Sequence, residues 1–156
     1  MQDANPFTAI VATVTRHLEQ QAQAARLAAE TADQQRARLA TIAAEQLRCL
    51  VLPILEAACA ALQSGGIDAE TSNGNDPLAG HPRRSLRLLL PGRTYPPALI
   101  FEAHTQSTIP ALAWRAEYLA PGLSLNGLAP ASTPIVHPDS VTVRRIIEKF
   151  ITQATS

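Results

Sequence analysis

Residues 7–63, FTAIVATVTRHLEQQAQAARLAAETADQQRARLATIAAEQLRCLVLPILEAACAALQ, decide the fold, because only Pro53 interrupts a run of strong helix formers. Asn5 is placed to cap this helix, Pro6 suits its first position, and Gly65-Gly66 supplies the stop. A helix of ~58 residues is ~87 Å long, more than one small domain can shelter.

Two different apolar stripes run along it. Between residues 7 and 49 a 3-4 spacing selects Phe7, Val11, Val14, Leu18, Gln21, Ala25, Ala28, Ala32, Gln35, Leu39, Ile42, Gln46 and Cys49. Seven of the ten non-alanine apolar residues in that window fall on these positions, where roughly three would do so by chance, and this marks a coiled-coil-like seam. The alanine centre lets helices approach closely, and Gln21 and Gln35 set register or oligomer number at some cost in stability. The competing reading of the same periodicity is a helical hairpin, or a helix lying on its own domain. From Leu47 the stripe widens to Leu47, Leu50, Val51, Ile54, Leu55, Ala58 and Leu62, a broad face suited to packing on a sheet. Pro53 removes one backbone donor and clashes with the carbonyl four residues earlier, which predicts a kink near Cys49.

Punctuation separates this helix from the remainder of the chain. All seven glycines lie at or after Gly65, and ten of the twelve prolines fall between Pro77 and Pro138. Residues 65–84 are polar and aperiodic and read as a flexible loop. Strand signals then come in quick succession at 85–90, 98–104 and 111–119, and weakly at 123–126, with short turns that imply antiparallel neighbours. Alternation points Leu86, Leu88, Leu90, Leu99, Phe101, Ala103, Leu112, Trp114, Ala116 and Tyr118 to one face, and Arg87, Glu102, His104, Arg115 and Glu117 to the other. A hairpin turn centred on Ser107-Thr108 sets Phe101 opposite Trp114. After the Pro-rich link, Asp139 or Ser140 caps a last helix whose Val143, Ile146, Ile147, Phe150, Ile151 and Ala154 form one stripe.

The predicted class is therefore α+β. A long N-terminal coiled-coil-like helix (5–46) precedes a small head (47–64 and 85–154). In the head, a 3–4-stranded antiparallel sheet is covered on one face by the end of that helix and by the C-terminal helix.

Composition bounds the function. The chain holds 13 basic and 13 acidic residues, evenly shared between its halves, so no basic face signals a nucleic-acid partner. The Arg83-Arg84 and Arg144-Arg145 pairs read as solvated surface. Alanine supplies 28 of 156 residues and only six are aromatic, so large core side chains are fewer than the 46% hydrophobic content implies. Cys49 and Cys59 lie ten residues apart on one helix, ~15 Å along its axis and too far for a disulfide between them. Both read as structural thiols. No signal-peptide pattern is present, and the apolar stretch 7–14 is too short to cross a bilayer, so the expectation is a cytoplasmic protein without a membrane span.

Chemistry is sparse. No phosphate-binding glycine loop, nucleophile elbow or paired-cysteine zinc spacing occurs. The best polar constellation is Glu102 and His104, two apart on a strand, with Arg115 and Glu117 beside them. Exposed strand residues of this kind usually form ion pairs, and a metal or general-base role is the sharper alternative. The His137-Pro138-Asp139 stretch is explained by capping, and His17 flanks the seam.

These features predict a non-enzymatic assembly or adaptor protein with no cofactor. It would form a homo-oligomer, a dimer in the simplest case, or bind a protein partner, through Phe7, Val11, Val14, Leu18, Gln21, Ala25, Ala28, Ala32, Gln35, Leu39 and Ile42. The first alternative is a chaperone or secretion accessory that holds a client strand on a sheet edge. The second is a small-molecule or metal-binding domain with its site near Glu102 and His104.

Overall fold

The computed structural model describes residues 5–75, 80–105, 110–118 and 132–156. The elements run α1 (Thr8–Gln46), a π-helical turn (Leu47–Val51), α2 (Leu52–Ser64), β1 (Ala69–Asn75), β2 (Pro82–Leu88), β3 (Ala98–His104), β4 (Ala111–Glu117), β5 (Thr133–Pro134) and α3 (Ser140–Ala154). The chain divides into two units, residues 1–37 and 38–156.

In the first unit the helix begins as the sequence predicts. Asn5 Oδ1 accepts from the Phe7 backbone N–H at 2.9 Å, and the Thr8 N–H reaches the Asn5 carbonyl at 3.0 Å, which satisfies donors that the first turn otherwise leaves free. From Thr8 to Gln46 the α-helix is continuous.

The second unit is an α+β domain around a five-stranded antiparallel sheet in the order β1-β2-β3-β4-β5. One core joins three sources. The helix contributes Ala43, Leu47, Val51, Leu55 and Cys59; the sheet contributes Leu86, Leu88, Leu99, Phe101, Ala103, Leu112, Ala116 and Tyr118; α3 contributes Val143, Ile147, Phe150 and Ala154. Each fully buried Leu, Val or Phe in it contributes ~1.5–3 kcal/mol, so the few large side chains are concentrated where they stabilise most. Tyr118 ties sheet to α3: its ring packs on Phe150 at 5.7 Å, and its hydroxyl donates to Gln153 Oε1 at 2.8 Å. Burial of that phenol raises its pKa above the usual tyrosine value.

Pro53 acts through a π turn. At the end of the widened turn the Leu52 N–H donates to the Leu47 carbonyl, five residues back. The buried row Ala43, Leu47, Val51, Leu55, Cys59 advances by four each time, and in a straight α-helix such a row drifts ~40° per step away from its target. A turn holding an extra residue rotates the row back, so that one side of the helix stays on the sheet. At the other end, Gly66 adopts φ 82°, and the Ile67 N–H returns to the Leu62 carbonyl at 2.9 Å. Glycine takes that left-handed conformation without the Cβ penalty.

The expected strand facing holds. Phe101 lies opposite Trp114 in the β3–β4 ladder, and the leucines of β2 and β3 are buried on the face that meets the helices. Asp139, not Ser140, caps α3, accepting from the Thr142 N–H at 2.7 Å, and this bond holds its carboxyl below the usual aspartate range.

Three expectations are corrected. The 65–84 stretch is not a loop throughout, because residues 69–75 form β1, paired along its full length with β2 from Ala69↔Leu88 to Asn75↔Pro82. The sheet thus gains an edge strand with little burial of its own: only Ala69 is buried, and the backbone ladder supplies what the side chains lack. The leucine-rich strand, first of the strands expected from sequence and therefore at an edge of that sheet, is extended back to Pro82 and lies inside the sheet between β1 and β3. Glu102 is buried rather than exposed, because the second face of β3 is shielded as well, with Ala98, Ile100 and Ala113 all buried on it. The expected strand at 123–126, residue 119 of the third strand, and the hairpin turn at 106–109 lie outside the described residues.

Candidate functional site

Two groups of residues were singled out by sequence, and both have a defined geometry. The first is the helical seam. Every residue from Asn5 to Leu39 is exposed, including the predicted interface positions Phe7, Val11, Val14, Leu18, Gln21, Ala25, Ala28, Ala32, Gln35 and Leu39, and Ile42 follows them. Exposure of the large apolar members runs from 66% at Phe7 to 39% at Leu39. Isolated exposed apolar side chains are ordinary on a protein surface, but Phe7, Val11, Val14 and Leu18 in one row at helical spacing are not.

The seam and its flanks are free of formal charge from Phe7 to Gln35. The neighbours on either side are Thr8, Ile10, Thr15, His17, Ala22, Ala24, Ala29 and Thr31, while Arg16, Glu19, Arg26, Glu30 and Asp33 occupy other positions of the wheel. Local bonds hold the polar side chains to their own helix. Thr13 and Thr31 hydroxyls donate to the Ala9 and Leu27 carbonyls at 2.9 Å, and Arg36 pairs with Asp33 at 3.7 Å. The Gln21 amide lies 3.1 Å from His17 Nε2, one turn back. Sequence reasoning left out Ile10 and Leu27, both exposed; Ile10 abuts Val11 and widens the stripe, whereas Leu27 lies off it.

The second group sits on the sheet face opposite the helices. Glu102, only 3% exposed, receives the Arg115 guanidinium on Oε1 and His104 Nε2 on Oε2 at 2.8 Å, and Arg115 Nε reaches Glu117 Oε1 at 3.5 Å. The structure therefore brings together all four residues of the predicted polar constellation. His81 adds a partner that the sequence did not signal, its ring stacked on His104 with centroids 4.6 Å apart. Both carboxylate oxygens of Glu102 are engaged by neighbouring cations or donors, an arrangement that satisfies a buried charge. Among the described residues no group of three or more His, Cys, Asp or Glu side chains converges as a metal site.

The two thiols differ in setting. Cys59 is buried in the core, while Cys49 is exposed, its Sγ 3.6 Å from Glu45 Oε2. By length and composition alone the helical stretch Thr8–Ser64 is also apolar enough to cross a membrane, with mean hydropathy 1.4 over an 18-residue span. Of that span 22% is buried inside the protein.

Comparison with known protein families, with curated proteins and with solved structures finds no match to any of them.

Proposed function

We propose that this chain is a non-enzymatic assembly protein that self-associates by laying the seam of residues 7–42 against the same seam of a second copy. One observation carries the reading: a helical row with large apolar side chains at both ends, Phe7–Leu18 and Leu39–Ile42, and alanines between them broken only by Gln21 and Gln35, is exposed in the single chain. Burying such a row is what drives coiled-coil association. Flanks that carry no charge from Phe7 to Gln35 favour a like partner, since over that stretch two copies meet without setting equal charges face to face.

The sheet-edge client reading is the less favoured alternative, because among the described residues the longer edge strand is β1, AETSNGN, whose polar side chains offer an apolar client little to bury. A small-molecule or metal site near Glu102 is disfavoured on similar grounds, the carboxylate being occupied by Arg115 and His104.

Sedimentation equilibrium over a wide concentration range tests the proposal. The expected result is a reversible rise from the 16.6 kDa chain mass to twice that value. A monomer at every concentration refutes it.

A further inference from the structure

Resting on the self-association just proposed, we infer that the two helices pair parallel and in register, each seam residue meeting its own copy, with Gln21 against Gln21 and Gln35 against Gln35. The placement of the glutamines decides the orientation. The seam consists of two interleaved sets at seven-residue intervals. Phe7, Val14, Gln21, Ala28, Gln35 and Ile42 form one, and Val11, Leu18, Ala25, Ala32, Leu39 and Gln46 the other.

A parallel pair matches each set with itself. Reversing one helix also reverses the alternation of three- and four-residue gaps, so an antiparallel pair must match the first set with the second. Gln21 and Gln35 both belong to the first set and cannot face one another in any antiparallel register. With full overlap, Val11 opposite Ile42 and Val14 opposite Leu39, each glutamine meets an apolar residue, Gln21 on Ala32 and Gln35 on Leu18. Both amides then lose water without gaining a partner. Sliding the reversed helix until Gln21 meets Gln46 supplies a partner, but sets Phe7, Val11 and Val14 opposite Ala60, Glu56 and Pro53. That register surrenders the largest side chains of the seam's N-terminal end.

Only the parallel in-register pair keeps every apolar layer and gives each amide another amide. In it the amide of Gln21, held by His17 within the single chain, exchanges that bond for one across the interface. From Phe7 to Gln35 the uncharged flanks bring no repulsion to like-on-like pairing, and in the parallel register the two flanking charges further on, Arg36 and Arg38, fall opposite Thr31 and Ala43 of the other copy rather than each other.

Disulfide trapping in the full-length chain reads the orientation. The background is Cys49→Ala with Cys59→Ala, and a companion that retains the buried Cys59 covers the case in which its replacement unfolds the head. Val14→Cys is oxidised with copper phenanthroline below and above the association midpoint. The expected result is a covalent dimer of Val14→Cys alone, formed above the midpoint and lost below it. In the antiparallel pair with full overlap the two Val14 positions lie ~37 Å apart along the axis. There a mixture of Val14→Cys and Leu39→Cys chains cross-links while Val14→Cys alone does not, and that outcome overturns the inference while leaving self-association intact. A dimeric mass with no cross-link at position 14 overturns it equally. A monomer throughout, including one that sediments with neutral phospholipid vesicles through its helix, overturns both the orientation and the self-association.

Discussion

Leu18 and Leu27 offer an internally controlled test of the seam. They are the same residue on the same helix, at nearly equal exposure, 58% and 53%, and differ only in angular position. Leu18 lies on the seam, and Leu27, two residues beyond Ala25, is rotated ~200° from that position. Replacing either with Ala leaves the isolated helix intact, because Ala has the highest helix propensity. What changes is the area available for burial. A fully buried leucine contributes ~1.5–3 kcal/mol relative to an exposed one, and a little over half of Leu18 remains to be covered, so each chain loses roughly 1–1.5 kcal/mol on truncation. Two chains meet in one pair, giving a loss of roughly 2–3 kcal/mol, or about 30–150-fold in the dimer dissociation constant. Leu27→Ala is expected to change it less than about threefold, as surface substitutions outside an interface usually do. Sedimentation equilibrium supplies both constants, and far-ultraviolet circular dichroism confirms equal helix content. Equal losses for the two variants, or a larger loss for Leu27→Ala, would refute the assignment of the seam.

The head yields further expectations. Phe101→Ala removes one of the two fully buried phenylalanines among the described residues and is expected to cost about 3–5 kcal/mol in denaturant unfolding of the head. Arg115→Met strands the buried Glu102 carboxylate and should destabilise by about 3 kcal/mol. The double variant with Glu102→Gln should recover part of that loss; no recovery in chemical denaturation would show that Arg115 acts elsewhere. Asp139 has its folded pKa depressed by the Thr142 N–H. Its contribution is therefore present above the unfolded carboxylate pKa of ~4 and is lost as pH falls through the lower folded value. Asp139→Asn keeps the capping acceptor and should flatten that acid limb of the melting-temperature profile, and an unaltered limb would count against this origin.

Periodicity made much of the fold legible and also explains what was missed. In β3 and β4 alternation identified the face that meets the helices, and the one-sided stripe of α3 placed Val143, Ile147 and Phe150 in the core. Strand β1 escaped because AETSNGN has no alternation to detect: as an edge strand it is held by backbone pairing to β2, and its side chains face largely toward solvent. The polar cluster was legible as a grouping but not as a buried one, because alternation distinguishes the two faces of a strand without showing whether both are covered. His81 could not be paired with His104 from the sequence, since 23 positions separate them and their stacking depends on the β2–β3 register. The Pro53 signal located the disturbance in the helix. Whether the backbone answers a missing donor by bending or by widening depends on the packing it must preserve, and here that is the row from Ala43 to Cys59.

That row also separates two kinds of constraint on one continuous helix. From Ala43 to Cys59 buried residues recur every fourth position, the larger ones being Leu47, Val51 and Leu55, and no described residue before Ala43 enters the core cluster. Upstream, the apolar positions follow a 3-4 alternation whose centre is alanine and whose polar insertions recur fourteen residues apart, at Gln21 and Gln35. A residue covering a sheet contributes mainly through its volume, whereas a residue in a narrow helical seam serves by allowing close approach, a need that alanine meets well. Alanine and glutamine also favour a helix before any partner arrives, so little conformational entropy is lost on pairing. The small side chains that keep the helix preformed bury little area in each layer. Specificity in the proposed pair therefore falls to the layers that differ from alanine: the aliphatic ends, Phe7–Leu18 and Leu39–Ile42, and the two glutamines between them.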